Sequence, residues 1–270
     1  MQFSVLMSIY KKENPDYFRD CIQSIVTQTV RPDEIVLVED GKLPDELEAV
    51  VREFGEVCPQ LRVIRFEENR GLGKALSDGL KECRCQLVAR MDTDDIAFPD
   101  RFEKQLAAFK QSPALTLCGG QVLEFSGTTE NVLRRKLVPT EHEEILRYAA
   151  TRNPFNHPSV MFKKDAVLAA GGYLHMPGFE DYYLWARMLA AGARSCNLPD
   201  FILYFRAGED VYKRRGGWDY MKASVKARWA IHKTGISGLG SFVYGAAGQI
   251  AVSLLPNEAR GRFYQKVLRR

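Results

Sequence analysis

The residues best equipped for chemistry are Asp92, Asp94 and Asp95, in the run Arg90-Met91-Asp92-Thr93-Asp94-Asp95. Three carboxylates within four residues repel one another. A solvated turn tolerates such a cluster, but it is most useful when a divalent cation neutralises it. Hard cations such as Mg2+ and Mn2+ take carboxylate oxygens, usually one or two from the protein, with substrate phosphates supplying others. The run reads equally as a polar turn leading into a helix near Phe98, and taken alone it does not decide between the two. A second acidic feature, Glu180-Asp181, opens a helical stretch. A helix start favours a carboxylate, which predicts an ionised Asp181 at neutral pH. A plain helix cap explains the pair as well.

These residues need elements to position them. Phe3 to Tyr10, Glu34 to Val38 and Leu61 to Phe66 read as strands, as does Gln86 to Ala89 just before the acidic run. Helical spacing recurs between them, over Asp16–Thr27, Asp45–Phe54 and the stretch from Asn69-Arg70-Gly71-Leu72-Gly73-Lys74 to Leu80. Strand and helix alternate through the first 95 residues or so, which predicts a doubly wound α/β sheet. Ligands of such sheets lie outside the carboxyl ends of the strands. Ser8/Tyr10, Glu39-Asp40-Gly41 and Asp92 to Asp95 all fall at those ends.

The second half is less regular. The pattern predicts helices over Phe98–Lys110, Glu141–Ala149, Lys164–Ala170 and Glu180–Ala191, with strands over Leu115–Phe125, Ser159–Phe162 and Phe201–Phe205. The stretch from Gly235 to Leu255 carries no charge but is rich in glycine, and the last ten residues are basic with interspersed aromatics. This end reads either as a helical hairpin packed on the domain or as a peripheral contact with an anionic membrane through 236–270.

Composition narrows the field. A chain of 270 residues with a net charge of +4 is too weakly basic to imply nucleic acid. None of the six cysteines forms a C-x-x-C pair, which argues against a zinc site and for free thiols in the cytosol; Cys83 and Cys85 read as structural. No apolar leader precedes the first strand.

The ordered set of motifs resembles the family 2 glycosyltransferases, inverting enzymes of the GT-A fold, from the first strand to about Gly217. The set comprises Ser4 to Tyr10, Pro32 to Gly41, Asn69 to Ala75, Met91 to Asp95 and Phe179-Glu180-Asp181-Tyr182. The likeness is greatest to bacterial members that build O-antigen, capsule or exopolysaccharide. It implies a Rossmann-like nucleotide-binding half (1–96) joined to an acceptor half (97–217) around one mixed sheet, then a C-terminal helical extension (218–270). It further implies that Ser8 and Tyr10 line the base pocket and that Asp40 accepts from the uracil N–H. Arg70 and Lys74 would hold the nucleotide or its phosphates, Asp92 would face the ribose, Asp94 would bind Mn2+ or Mg2+, and Asp181 would be the general base. The chemistry is coherent: the departing diphosphate needs positive charge, and direct displacement needs one base aimed at the acceptor hydroxyl.

Two departures bear on this. Relatives commonly carry Tyr-Arg-x-His after the last strand, where this chain has Phe205-Arg206-Ala207-Gly208. Arg206 and Lys213-Arg214-Arg215 could take over diphosphate contacts, or the basic run could be a solvated loop. Processive members carry Gln-x-x-Arg-Trp, and here Val225-Lys226-Ala227-Arg228-Trp229 lacks the glutamine, which points to addition of one sugar per encounter. His157 reads as an acceptor contact or as a structural histidine in a proline turn, and Glu180 as a possible neighbour of the acceptor. The expected activity is transfer from a UDP-sugar to a saccharide, on a polyprenyl diphosphate, at the inner face of the cytoplasmic membrane. The rival readings are a nucleotidyltransferase, disfavoured because Lys11 to Pro15 lacks glycine, and a non-catalytic nucleotide- or sugar-binding subunit of a glycan assembly complex.

Overall fold

A computed structural model describes residues 1–207 and 217–253. Its first part is a run of parallel strands: β1 (Phe3–Ile9), β2 (Glu34–Glu39), β3 (Leu61–Arg65) and β4 (Leu87–Arg90). They lie in the order β3-β2-β1-β4, each parallel to its neighbour. Helices α1 (Pro15–Val26), α2 (Asp45–Val57) and α3 (Leu72–Glu82) connect them. Strand β1 is apolar apart from Ser4 and Ser8, because both its faces are covered. Phe3, Val5, Met7 and Ile9 enter one core cluster, while Leu6 packs with Val36, Val38 and Leu76 in another.

The strand order reverses between β1 and β4, and such a switch point opens a crevice at the carboxyl ends. Its rims are fixed locally. Asn14 caps α1 by accepting from the Asp16 and Tyr17 N–H groups at 2.8 and 3.2 Å. Gly41, after β2, has φ +91°, and a Cβ there would lie 2.8 Å from the Asn69 nitrogen.

The sheet continues through β5 (Ile96–Ala97), β6 (Leu115–Ser126), β7 (Thr128–Lys136), β8 (Met161–Lys163) and β9 (Arg194–Arg206). Strand β8 runs antiparallel to β4 and β6; β9 is parallel to β6 and antiparallel to β5. Helices α4 (Arg101–Gln111), α5 (His142–Ala149), α6 (Lys164–Ala169) and α7 (Glu180–Ala190) accompany this half. Beyond it, α8 (Trp218–Lys233) packs on α7 and on α9 (Leu239–Ser253). Among the described residues no helix is long and apolar enough to cross a membrane.

Several elements differ from expectation. The helix predicted from Phe98 starts at Arg101, because Phe98 N–H extends the β5 ladder to the Ile202 carbonyl at 3.1 Å and its ring stacks on Tyr204. The strand predicted over Ser159–Phe162 begins at Met161; His157–Ser159 is a 3-10 turn, held by Ser159 Oγ donating to the Asn156 carbonyl at 2.8 Å. Strand β9 starts seven residues before Phe201, and the hairpin strand β7 was not expected.

Candidate active site

The acidic run follows β4 directly and is bracketed by buried cations. Arg90, fully buried at the end of β4, makes a close ion pair with Asp92 Oδ1. Arg101, also fully buried, donates to the Arg90 carbonyl at 2.7 Å and to Gln105 at 3.1 Å. Burial lowers its pKa to about 9. Gln105 in turn donates to the Cys118 and Ser159 carbonyls, each at 2.9 Å, which ties the turn to β6 and the 3-10 turn.

The remaining acids carry unusual protonation. Burial, then the neighbouring Asp92 and Glu13, raise the Asp94 carboxyl to about 7. Asp95 is wholly buried and is pushed well up by that burial and by Asp94 and Asp92. Glu13 joins the group from the loop before α1, accepting from Thr93 Oγ1 at 2.6 Å.

Arg206 does not reach out as an arm for a diphosphate. It is 7% exposed, and its guanidinium donates to the Asp94 carbonyl (2.9 Å), the Gly127 carbonyl (3.0 Å) and Asp20 (3.2 Å). Its backbone N–H donates to Asp95 at 2.9 Å, and the side chain lies over the Tyr17 and Phe125 rings. It clamps the back of the acidic turn. Arg214 and Arg215, predicted as companions, lie outside the described residues, as does 254–270 of the predicted membrane segment.

Asp40, at the end of β2, is buried and accepts the N–H groups of Arg70 (2.7 Å) and Gly71 (2.9 Å), one on each carboxylate oxygen. It therefore shapes the turn that enters α3, whatever else it contacts. Arg70 lies over the Phe66 ring, 3.5 Å from its centre, and pairs with Asp78 at 2.9 Å. Lys74 is exposed in the first turn of α3, Ser8 is half-buried at the end of β1, and Tyr10 is 38% exposed.

The opposite wall comes from the second half of the chain. Asp181 stands in the first turn of α7 and accepts from Asn153 Nδ2 at 2.6 Å. The ionised state expected from the helix start meets a larger opposing effect: burial raises the Asp181 pKa, and the Tyr182 N–H and Asn153 offset it only in part. Glu180 is raised for the same reason. A Cβ on Gly73 would lie 2.9 Å from Glu180 Cγ, so the glycine lets α3 close onto α7. His157 Nε2 lies 3.1 Å from the Tyr173 hydroxyl, and burial with nearby Arg90 keeps its imidazole neutral by lowering its pKa well below the usual value.

The two walls share one electrostatic environment. Burial is the main cause of the upward shifts of Asp181 and Tyr173, but the charge of Asp92 adds to both, and Tyr173 also feels Arg90 and Asp181. A carboxylate cluster at a parallel-sheet switch point thus shares its surroundings with Asp181 on a helix start that also carries Glu180.

The family description "Glycosyl transferase family 2" matches residues 4–169. The chain belongs to glycosyltransferase family 2. It is 44% identical over 270 residues to an uncharacterized glycosyltransferase of Haemophilus influenzae, covering 100% of both chains. It is 43% identical over 236 residues to the amylovoran biosynthesis glycosyltransferase AmsE of Erwinia amylovora (86% of this chain, 88% of that one). It is 36% identical over 269 residues to the UDP-Gal:alpha-D-GlcNAc-diphosphoundecaprenol beta-1,3-galactosyltransferase of Escherichia coli (100% and 97%). Among solved structures, Staphylococcus aureus TarS 1–349 in complex with UDP-GlcNAc superposes with TM-score 0.63 at 16% identity, over 98% of this chain and 73% of that one. The mannosyltransferase PcManGT of Pyrobaculum calidifontis, in complex with GDP-Man and Mn2+, gives 0.63 at 15% identity, over 100% and 82%. The fold is GT-A, as the motifs implied.

The candidate site of this glycosyltransferase also contains residues that the sequence did not single out: Arg90, Arg101, Glu13 and Asn153. Arg90 adjoins the acidic run, and an arginine inside an apolar strand next to carboxylates is a usable signal. Arg101 and Asn153 carry no such signal, because the Arg90 carbonyl and Asp181 come to them only through folding.

Proposed function

We propose that this enzyme transfers one sugar per encounter from a UDP-sugar to a saccharide carried on a polyprenyl diphosphate, by direct displacement with inversion. The observation that carries the reading is Asp181, fixed by Asn153 at 2.6 Å and within electrostatic reach of Asp92 across the crevice. The acceptor hydroxyl attacks C1 of the donor sugar and its proton passes to the Asp181 carboxylate. The C1–O bond to the diphosphate breaks, and UDP leaves with the bonding pair. Helix α7 and Asn153 hold the base; Asp92, oriented by Arg90, faces the ribose. Tyr10 offers an exposed ring to the uracil, beside Ser8 and the Asp40-braced turn of Arg70 and Lys74.

Among the described residues no three His, Cys, Asp or Glu side chains converge to hold a metal by themselves. The donor set nevertheless fits Mn2+ or Mg2+. Asp94 would supply an oxygen ligand, its carboxyl raised to about 7 by burial and then by the neighbouring Asp92 and Glu13, and diphosphate oxygens would complete the shell. When bound, such a cation would withdraw charge from the departing diphosphate.

UDP as donor and a lipid-linked acceptor are supported by the galactosyltransferase relative. Exposed Leu239, Val243 and Tyr244 on α9, with exposed Trp229 on α8, would suit contact with the inner face of the cytoplasmic membrane. Residues 1–96 would serve the donor and 97–217 the acceptor, with 218–270 as the membrane-proximal extension. The test is UDP release from UDP-Gal, UDP-Glc, UDP-GlcNAc and UDP-GalNAc, with GlcNAc-diphosphoundecaprenol as acceptor and Mn2+ or EDTA. Acceptor-dependent, EDTA-sensitive release is expected. UDP binding with no release from any pair would leave a binding subunit instead.

A further inference from the structure

Asn153 lies in the segment between α5 and the 3-10 turn, outside every motif that identified the site. Its segment is pinned on both sides. Asn197 of β9 donates to the Pro139 and Pro154 carbonyls at 2.6 and 3.0 Å, and Asn156 donates to the Gly120 carbonyl at 3.0 Å. Arg228 of α8 donates to the Thr151 carbonyl at 3.2 Å. The Asn153 amide is itself oriented, since the Phe155 N–H can only donate and meets Asn153 Oδ1 at 3.2 Å. Nδ2 is therefore the end that faces Asp181 Oδ2. An amide turned the other way would set two acceptors against each other.

We infer that Asn153 is the positioning residue for the base: it donates to Oδ2 of Asp181 as a neutral group and, with the Tyr182 N–H, fixes the direction from which the carboxylate meets the acceptor proton. The inference rests on the reading of Asp181 as that base. A cation in place of the amide would hold the carboxylate more strongly but would also keep it ionised and weaken it as a base. The other groups facing Asp181 are Lys136 of β7, Asp92 after β4, Tyr173 before α7 and Glu180 beside it, while Arg228 of α8 faces Tyr182. The side-chain hydrogen bond to Asp181 comes from Asn153.

Removing a donor to the charged form raises the pKa of an acid, so the acidic limb of the rate profile should move to higher pH. The test follows the Asp181 carboxyl by 13C NMR in the full chain labelled at aspartate Cγ, its resonance assigned by loss in Asp181→Asn. In Asn153→Ala the midpoint should rise by about one pH unit, and the acidic limb of kcat/KM should rise with it. UDP affinity should stay unchanged. Asn153→Asp keeps an acceptor for the Phe155 N–H but sets a second acid against Asp181, and should raise the midpoint further.

An unmoved midpoint in both variants would overturn the inference. So would failure of both to fold, which would make Asn153 a structural residue. If Asp181→Asn kept full transfer, the base assignment itself would fall, whatever the Asn153 variants did.

Discussion

The turn after β4 and the start of α7 both present carboxylates to one crevice, and they are held in opposite ways. Around Asp92, Asp94 and Asp95 the fold packs the guanidinium groups of Arg90 and Arg206, with Arg101 behind them, all buried and all bonded to the turn. Asp181 is instead hydrogen-bonded by a neutral amide and a backbone N–H, with the charge of Lys136 acting on it from β7. On the proposed function, the difference matches two chemical needs. A surface meant to receive a metal and a diphosphate must keep its geometry under strong electrostatic load, so permanent charges brace it from behind. A general base must gain and lose a proton, so its partner should orient it without fixing its charge.

Substitutions can break this contrast at several points. The largest effect should come from Asp181→Asn, which lowers kcat by about 10²–10⁴-fold while UDP affinity, read by calorimetry, is unchanged. Asp94→Asn should lower kcat by about 10²–10³-fold and should also abolish the gain in UDP affinity on adding Mn2+, which separates the metal side from the base side. Stability sharpens the comparison further. Arg206→Met removes three side-chain hydrogen bonds from the clamp and should cost about 2–4 kcal/mol in urea unfolding. Asn153→Ala should cost about 1 kcal/mol by the same measurement. The smallest effect on the donor side should be Tyr10→Ala, which removes one stacking ring and should weaken UDP binding by about tenfold, or about 1.4 kcal/mol.

The parallel half was legible because its strands are buried on both faces. Phe3–Ile9 and Ile35 to Val38 therefore stand out as largely apolar runs, and parallel pairing puts their polar tails on one edge. The antiparallel half was less legible for reasons equally physical. Strand β7 is mostly exposed, so Thr128–Lys136 has no apolar face to betray it. Strand β5 is two residues long and exists only through pairing with β9. The site divides along the same line. Asp92 and Asp94 could be found from their spacing. The direction of the Asp181 pKa could not, because burial against Asn153 and its surroundings comes from residues distant in sequence. The sequence offers Arg206 as a diphosphate contact for the same reason; its partners Asp94, Gly127 and Asp20 meet only in the folded chain.

The most direct measurement of the account is the anomeric configuration of the product. Direct displacement, with Asp181 deprotonating the acceptor on the side opposite the departing UDP, predicts that a UDP-α-hexose yields only a β-linked product, read from the anomeric proton coupling. An α-linked product would contradict it, since retention needs a different arrangement of groups around C1.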